Sequence, residues 1–167
     1  MSFKQTDIRK INESAIKMIN DDWALVTAGD LSSFNTMTVS WGGLGELWGR
    51  DVAFVFIRPQ RYTYEFMEKG ELFTVSFFGG AYKDELNFCG KNSGRDKDKL
   101  KATGFKARGF EGAVAFEEAQ TVLVCKKIAF QDLDPKGFLD QTIENDYPNK
   151  DYHRMYVGEI LKVFKKV

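Results

Sequence analysis

Residues 34–45 read FNTMTVSWGGLG, and residues 36–41 alternate strictly between hydroxyl and bulky apolar side chains. A period of two predicts a β-strand with Thr36, Thr38 and Ser40 on one face and Met37, Val39 and Trp41 on the other. Asn35 begins the strand, and Gly42 and Gly43 end it where a planar ligand would need the backbone to come close. An ordinary strand whose threonines face water has the same pattern, so this stretch alone leaves both interpretations open.

Other segments rich in β-branched and aromatic residues predict further strands around this one. They are Trp23–Ala28, Asp51–Arg58, Glu71–Phe78, Gln120–Phe130 and Asp151–Phe164, with one shorter strand among the turns of Phe105–Phe116. Gly29, Asp30, Ser32 and Ser33 favour a turn, which predicts a hairpin between the first of these segments and residues 34–41.

Helices are predicted only at the periphery. Apolar residues at helical spacing predict an amphipathic helix over Asp7–Asn20. Pro59 ends the preceding strand and favours a helix from Gln60 to Lys69 that stops at Gly70, and a short helix is predicted over Tyr82–Phe88. We therefore expect a mainly β fold with peripheral helices.

Gly42–Arg50 is predicted to be a loop, and it carries more apolar side chains than a solvated loop needs: Leu44, Leu47 and Trp48. A subunit contact or a ligand lid would explain them, and so would packing onto the domain.

Length and composition predict one domain over residues 1–167, because 167 residues with 43% hydrophobic content suit a single core. Basic and acidic residues both number 24, which argues against nucleic acid or an anionic membrane as a partner. Two cysteines, Cys89 and Cys125, are too few for a disulfide scaffold or a zinc site. The amino terminus has no apolar targeting segment, so we expect a cytoplasmic protein.

Two stretches have the residues of an anion site. Arg58 and Arg61, with Tyr62 and Thr63, flank the start of the predicted 60–69 helix, where free N–H groups and the helix dipole favour a phosphate. Residues 89–104 form a glycine-containing loop with Lys91, Arg95, Lys97 and Lys99, partly offset by Asp96 and Asp98. Surface arginines at a solvated helix start and a plain hydrophilic loop are the alternatives.

His153 is the only histidine. A lone histidine with dispersed cysteines cannot build a metal site, so no metal is predicted. The residue is either structural or a donor or acid beside a ligand.

Taken together, these motifs resemble the flavin reductase-like family, the FMN-binding split barrels. The resemblance covers residues 23–163 and is carried by NTMTVSWG at 35–42, RPQRYT at 58–63, SGRDKDK at 93–99 and H-x-x-x-x-G-E-I at 153–160. The family histidine often follows Gly-Asp, whereas Asp151 and Tyr152 precede it here. The resemblance implies a six-stranded Greek-key split β-barrel that forms a homodimer and binds FMN, or sometimes FAD.

The resemblance also implies residue roles. The strand would line the isoalloxazine through Asn35, Thr36, Met37, Thr38, Val39, Ser40 and Trp41. Arg58, Arg61, Tyr62 and Thr63 would hold the phosphate or ribityl chain, and Ser93 and Gly94 with one or more of Lys91, Arg95 and Lys99 would form a second clamp. His153 would lie at the reactive face as the catalytic candidate.

The implied activity is hydride transfer from NAD(P)H to the flavin and onward to an acceptor. The sequence has no Rossmann fingerprint, so the nicotinamide would dock on the flavin itself. The alternatives are a flavoredoxin-like electron carrier that a partner protein reduces, without its own nicotinamide site, and a module that binds a ligand other than flavin.

Overall fold

The computed structural model describes residues 2–167, and most of its regular structure is antiparallel sheet. The strands are β1 (Phe3–Thr6), β2 (Ala24–Asp30), β3 (Ser33–Val39), β4 (Gly42–Leu47), β5 (Arg50–Ile57), β6 (Leu72–Phe77), β7 (Ala107–Phe110), β8 (Ala113–Phe116), β9 (Thr121–Asp132) and β10 (Arg154–Lys166). The helices are α1 (Tyr62–Lys69), α2 (Lys83–Lys91) and α3 (Lys99–Thr103).

The main sheet has eight strands in the order β3-β2-β6-β9-β10-β5-β4, with β1 added to β10, while β7 and β8 form a separate hairpin. All its pairings are antiparallel. Six strands match six of the seven predicted from the sequence, namely β2, β3, β5, β6, β9 and β10, and the one short strand predicted within residues 105–116 is the two-stranded hairpin of β7 and β8. β1 and β4 are additions. The predicted class, a mainly β split barrel with peripheral helices, is confirmed.

β2 and β3 form the predicted hairpin, in register from Ala24 opposite Val39 to Asp30 opposite Ser33. The Asp30 carboxylate accepts hydrogen bonds from the backbone N–H groups of Ser32 and Ser33, at 2.8 and 3.1 Å, which fixes the turn. This register fixes which face each residue of β3 presents.

The strands separate two hydrophobic clusters. Met37 and Val39 of β3 lie in the barrel core with Val26 and Phe73, as their alternation predicts. Leu25 of β2 points the opposite way, into a second cluster in which α2 and the β7–β8 hairpin pack on the outside of the sheet. Both faces of β2 are therefore buried.

Two predicted elements are wrong. The predicted Asp7–Asn20 helix is a short 3₁₀ turn at Ile8–Lys10, an extended segment, and a π turn at Lys17–Asp21. The Asp7 carboxylate caps the 3₁₀ turn, and the backbone is already extended at Ile11. The predicted 42–50 loop contains β4, which pairs with β5 along its length and packs Leu44 against the barrel core.

Smaller differences concern helix ends. α1 begins at Tyr62 rather than Gln60, and Gly70 ends it in an extended conformation rather than the left-handed one. α2 extends to Lys91, and the predicted 89–104 loop contains α3. Within residues 2–167, no helix is long and apolar enough to cross a membrane.

Gly158 offers a direct test of core packing. A Cβ atom at this position would overlap Phe73 Cζ and lie 2.7 Å from Phe73 Cε1, and Phe73 is 1% exposed. We expect Gly158→Ala to lower the free energy of unfolding by about 1–3 kcal/mol, measured by urea denaturation. Gly137→Ala is the control, because nothing lies within 4 Å of its Cβ position. Equal stabilities of the two variants would contradict this packing.

Candidate functional site

The carboxyl end of β3 opens into a cleft of about 190 Å³, which we call the histidine cleft. Its lining residues are Met37, Thr38, Val39, Ser40, Trp41, Phe56, Arg58, Arg61 and His153. All of them except Phe56 are residues that the sequence predicted for the site. Three separate segments, at residues 37–41, 58–61 and 153, therefore meet at one place in the fold.

His153 immediately precedes β10, and its backbone carbonyl accepts a hydrogen bond from Leu133 N–H at 3.0 Å. Its ring packs against Trp41, with 5.2 Å between ring centroids, and its Nδ1 lies 2.7 Å from the Tyr147 hydroxyl. Burial, reinforced by the charge of Arg58, lowers the pKa of His153 to about 4. The imidazole is therefore neutral at pH 7.

The other ring nitrogen of His153 faces the cleft. Within residues 2–167, no group hydrogen-bonds to Nε2. This nitrogen is not fully buried and keeps some exposed surface. Since His153 lines the cleft, this nitrogen is the one that a ligand can reach.

Arg58 is already paired. Its guanidinium donates to the Asp151 carboxylate at 2.9 Å and to the Asp146 carbonyl at 2.8 Å, and it stacks on the Tyr147 ring at 4.7 Å. Arg58 therefore ties the irregular segment before β10 to the end of β5. The carboxylate of Asp151 therefore already pairs with Arg58, one of the two arginines that the sequence places at a phosphate.

Arg61 has no such partner. Within the part of the chain that the structure describes, no carboxylate pairs with its guanidinium and no side-chain hydrogen bond engages it. Burial, with the charge of Arg58 adding to it, lowers the pKa of Arg61. Arg61 is also the N-cap residue of α1, whose first turn has no side-chain cap. An uncompensated cation thus lies at a helix start with free N–H groups, where an anion would be stabilised.

The threonine hydroxyls of β3 are used inside the protein. Thr36 Oγ1 lies 2.8 Å from Thr27 Oγ1, and Thr38 Oγ1 donates to the Leu86 carbonyl of α2. α2 therefore covers the hydroxyl face of β3, for which the sequence pattern allowed either water or a ligand. Ser40 and Trp41, directly after β3, line the histidine cleft.

The packing of the strands themselves explains why residue 42 is a glycine. A Cβ there would lie 2.6 Å from the Phe54 carbonyl oxygen of the neighbouring strand β5. The close approach is between two strands, so it does not need a ligand.

A second cleft of about 510 Å³, the lysine cleft, lies on the other side of the amino end of α1. Predicted residues that line it are Asn35, Thr36, Tyr62, Gly94, Arg95 and Lys99. Gly94 is packed tightly there, because a Cβ would overlap Asn35 Oδ1 and lie 3.2 Å from Tyr62 Cδ1. Gly94, Arg95 and Lys99 of the predicted second clamp therefore line this cleft.

Lys99 is 7% exposed and starts α3. Its ammonium donates to the Thr36 carbonyl at 2.6 Å and the Cys89 carbonyl at 2.9 Å, which joins β3 to α2. Burial lowers the pKa of Lys99 to about 8, with a smaller contribution from Arg61. Two of the three N–H donors of the ammonium are thus used by backbone carbonyls of the protein, and the third remains for a ligand.

Besides the Thr36 and Thr38 hydroxyls, the polar groups of three more predicted residues lie outside both clefts. The Thr63 hydroxyl is fully buried and accepts from Asn35 Nδ2 at 2.8 Å. Lys91 is exposed at the end of α2, outside both cleft linings. The Ser93 hydroxyl accepts from Arg95 N–H at 3.2 Å and so stabilises its own turn.

Sequence reasoning missed three residues of the histidine cleft or its support: Phe56, Tyr147 and Asp151. Phe56 follows from the alternation of β5, which places it on the face of Phe54. Asp151 lies 93 residues from Arg58, and Tyr147 directly follows the 3₁₀ helix Gln141–Asp146. No local pattern marks either of them.

Comparison with solved structures identifies the class of fold. An FMN-binding domain of a flavin reductases-like enzyme from Shewanella baltica covers 98% of this chain and 77% of its own at 18% identity, with a TM-score of 0.70. Flavoredoxin from Methanosarcina acetivorans covers 96% and 76% at 21% identity, with a TM-score of 0.66. The NADH:FAD oxidoreductase of Streptomyces globisporus, in complex with NAD and FAD fragments, covers 87% and 74% at 15% identity, with a TM-score of 0.66. The fold is that of the split-barrel flavin reductase-like proteins.

The sequence profile of the flavin reductase like domain matches residues 19–165. The chain therefore belongs to the flavin reductase-like family, as its motifs predict. A comparison with curated proteins found no match.

Proposed function

We propose that this protein is an FMN-binding oxidoreductase that accepts hydride equivalents from NAD(P)H. The observation that carries the proposal is the unpaired Arg61 at the uncapped start of α1, in the same cleft as Trp41 and the neutral His153. An aromatic wall suits a planar ring system, and a cation at a helix start suits a phosphate. FMN combines both groups in one molecule, so the residues present fit it.

Arg61 and the free N–H groups of α1 would hold the phosphate. The backbone of residues 37–41, with Trp41 and Phe56, would lie along the ring system. Asn35, Gly94 and Lys99 of the lysine cleft would form the second clamp, together with Arg95, whose guanidinium also pairs with Glu65, and with Ser93 supporting their turn. An adenosine extension, as in FAD, would need the space of this larger cleft.

A bound flavin supplies the redox chemistry, because it accepts hydride and passes electrons on. The protein's part is to bind, orient and exclude water. His153 presents an uncharged nitrogen to the cleft, so it can hydrogen-bond to a ligand without a counter-ion. Trp41 and Phe56 keep water from the ring faces.

The test begins with the absorbance of the purified protein after titration with FMN, followed by anaerobic mixing with NADH and with NADPH. Bleaching of the flavin band by either nucleotide within a turnover supports the reductase. Tight FMN binding without bleaching supports the flavoredoxin-like carrier instead. Failure to bind FMN or FAD at micromolar concentration would overturn both.

We also propose that the functional unit is a homodimer. The histidine cleft, about 190 Å³, is smaller than the roughly 300 Å³ at which ligand pockets usually begin, so one protomer supplies part of a site. Trp41 on its rim is 46% exposed and Trp48, at the β4–β5 turn, is 64% exposed. A second copy covering these rings would complete the site.

Light scattering of the flavin-loaded protein at micromolar concentration should therefore give twice the 19.1 kDa chain mass. Trp48→Glu should shift the mass towards the monomer and weaken FMN binding at the same time, because the partner's surface is lost. A wild-type monomer that still holds flavin would contradict the dimer.

A further inference from the structure

Tyr147 is a buried tyrosine whose hydroxyl meets the only histidine of the chain. It is 3% exposed and follows the 3₁₀ helix Gln141–Asp146. Its ring is held between Phe138, at 6.1 Å between centroids, and the guanidinium of Arg58, at 4.7 Å from the centroid. The Tyr147 hydroxyl is therefore fixed in position, 2.7 Å from Nδ1 of His153.

The direction of this hydrogen bond follows from the neighbours of the hydroxyl. If Nδ1–H donated to the tyrosine oxygen, the tyrosine O–H would need another acceptor. Within residues 2–167, His153 Nδ1 is the only side-chain or backbone acceptor within hydrogen-bond distance of Tyr147 Oη. A buried O–H left without an acceptor is costly, so the arrangement in which tyrosine donates to Nδ1 is favoured.

We infer that Tyr147 is a positioning residue: its hydroxyl donates to Nδ1 of His153 and thereby keeps the ring proton on Nε2, the nitrogen that faces the histidine cleft. The cleft is then offered an uncharged N–H donor rather than a lone pair. Such a donor selects a ligand atom that accepts a hydrogen bond, such as a carbonyl oxygen or a bare ring nitrogen. Its use in catalysis rests on the proposed function, whereas the tautomer itself does not.

The pKa of His153, about 4, supports this arrangement, because a ring that is neutral at pH 7 carries only one proton to be placed. Asp151 approaches the same region but is already bonded to Arg58 and Gln60. The tyrosine is therefore the group that decides which nitrogen is protonated.

The test reads the tautomer directly. Nitrogen-15 NMR of the purified, flavin-free protein at pH 7.5 distinguishes a protonated from a bare ring nitrogen, and the single histidine removes any ambiguity of assignment. We expect the Nε2–H form to exceed the Nδ1–H form at least about tenfold in the wild-type protein. In Tyr147→Phe, which keeps the ring and its stacking, the ratio should fall about tenfold or more.

Tyr152→Phe is the matched control. Its ring packs against that of Tyr147 at 4.9 Å, but its hydroxyl donates to the Glu144 carboxylate, at 3.1 Å. It should therefore keep the wild-type ratio. A predominant Nδ1–H form in the wild-type protein, or the same ratio in Tyr147→Phe and wild type, would overturn the inference. The first of these outcomes overturns the inference even if Tyr147→Phe fails to fold.

A second measurement separates this inference from the proposed function. If both hold, Tyr147→Phe should slow flavin reduction, and it should have no further effect in a His153→Ala background, since it acts through that ring. A changed tautomer with an unchanged rate would reject the catalytic use of His153 and leave the positioning role intact. An unchanged tautomer would reject the positioning role whatever the rate.

Discussion

Replacement of His153 by alanine is expected to slow flavin reduction by NADH or NADPH about 10- to 1000-fold, which is within or somewhat below the range for loss of a positioned donor or acid. The physical reason is that Nε2 is the ring nitrogen open to the cleft, next to Trp41 and on the side where a flavin would lie. Stopped-flow reduction of flavin-saturated protein measures the effect per bound flavin.

The alternative is a structural role, and the contacts of His153 make it a serious one. The residue is 8% exposed and bonded to Tyr147, so His153→Ala should also lower the melting temperature. His153→Gln is the informative control, because it keeps an N–H donor and should recover part of the rate. A lowered melting temperature with an unchanged rate per bound flavin would show that the residue is structural.

The pH dependence gives a further check on the same residue. Because the pKa of His153 is about 4 in the folded protein, its charge does not change between pH 6 and 8. The rate difference between wild type and His153→Ala should therefore be constant over that range. A difference that titrates near pH 6.5 would mean that the ring is not buried as described.

The six central strands could be predicted from the sequence because each buries one or both faces, and burial leaves a period of two or an apolar run. β4 could not, because Gly42, Gly43 and Gly45 carry no side chain to show a period; its pairing is made by the backbone with β5. The predicted amino-terminal helix is wrong for the opposite reason. Its apolar residues fall at helical spacing, but only Met18 and Ile19 are buried.

The residues of the candidate site likewise include some that the sequence could identify and some that it could not. Residues 37–41 and 58–61 could be identified because each lies within one continuous motif. The partners of those residues could not, since Arg58 meets Asp151 and Thr38 meets Leu86 only after the chain has folded. Sequence thus indicates which groups gather at a site, whereas the fold decides which of them are already satisfied and which remain for a ligand.

Arg61 is the cation of the histidine cleft that has no side-chain partner within residues 2–167, and its loss should weaken FMN binding more than riboflavin binding. In Arg61→Gln the charge is removed but length and polarity are nearly kept, so we expect the dissociation constant for FMN to rise about 10- to 100-fold, the usual loss for a charge-assisted hydrogen bond. Riboflavin, which has no phosphate, should bind within about threefold of wild type. Fluorescence titration with both ligands measures the ratio.

Two control variants, and a third variant that tests the alternative phosphate site, make the assignment specific. Arg9→Gln removes an exposed arginine, paired with Asp51, far along the chain from both clefts, and should change neither affinity. Arg58→Gln should weaken FMN and riboflavin equally, because Arg58 holds Asp151 and Tyr147 rather than a free anion site. The opposite result would be that Arg61→Gln leaves the preference for FMN over riboflavin unchanged and Lys99→Gln reduces that preference. The phosphate would then bind in the lysine cleft, and the orientation proposed for the flavin would be reversed.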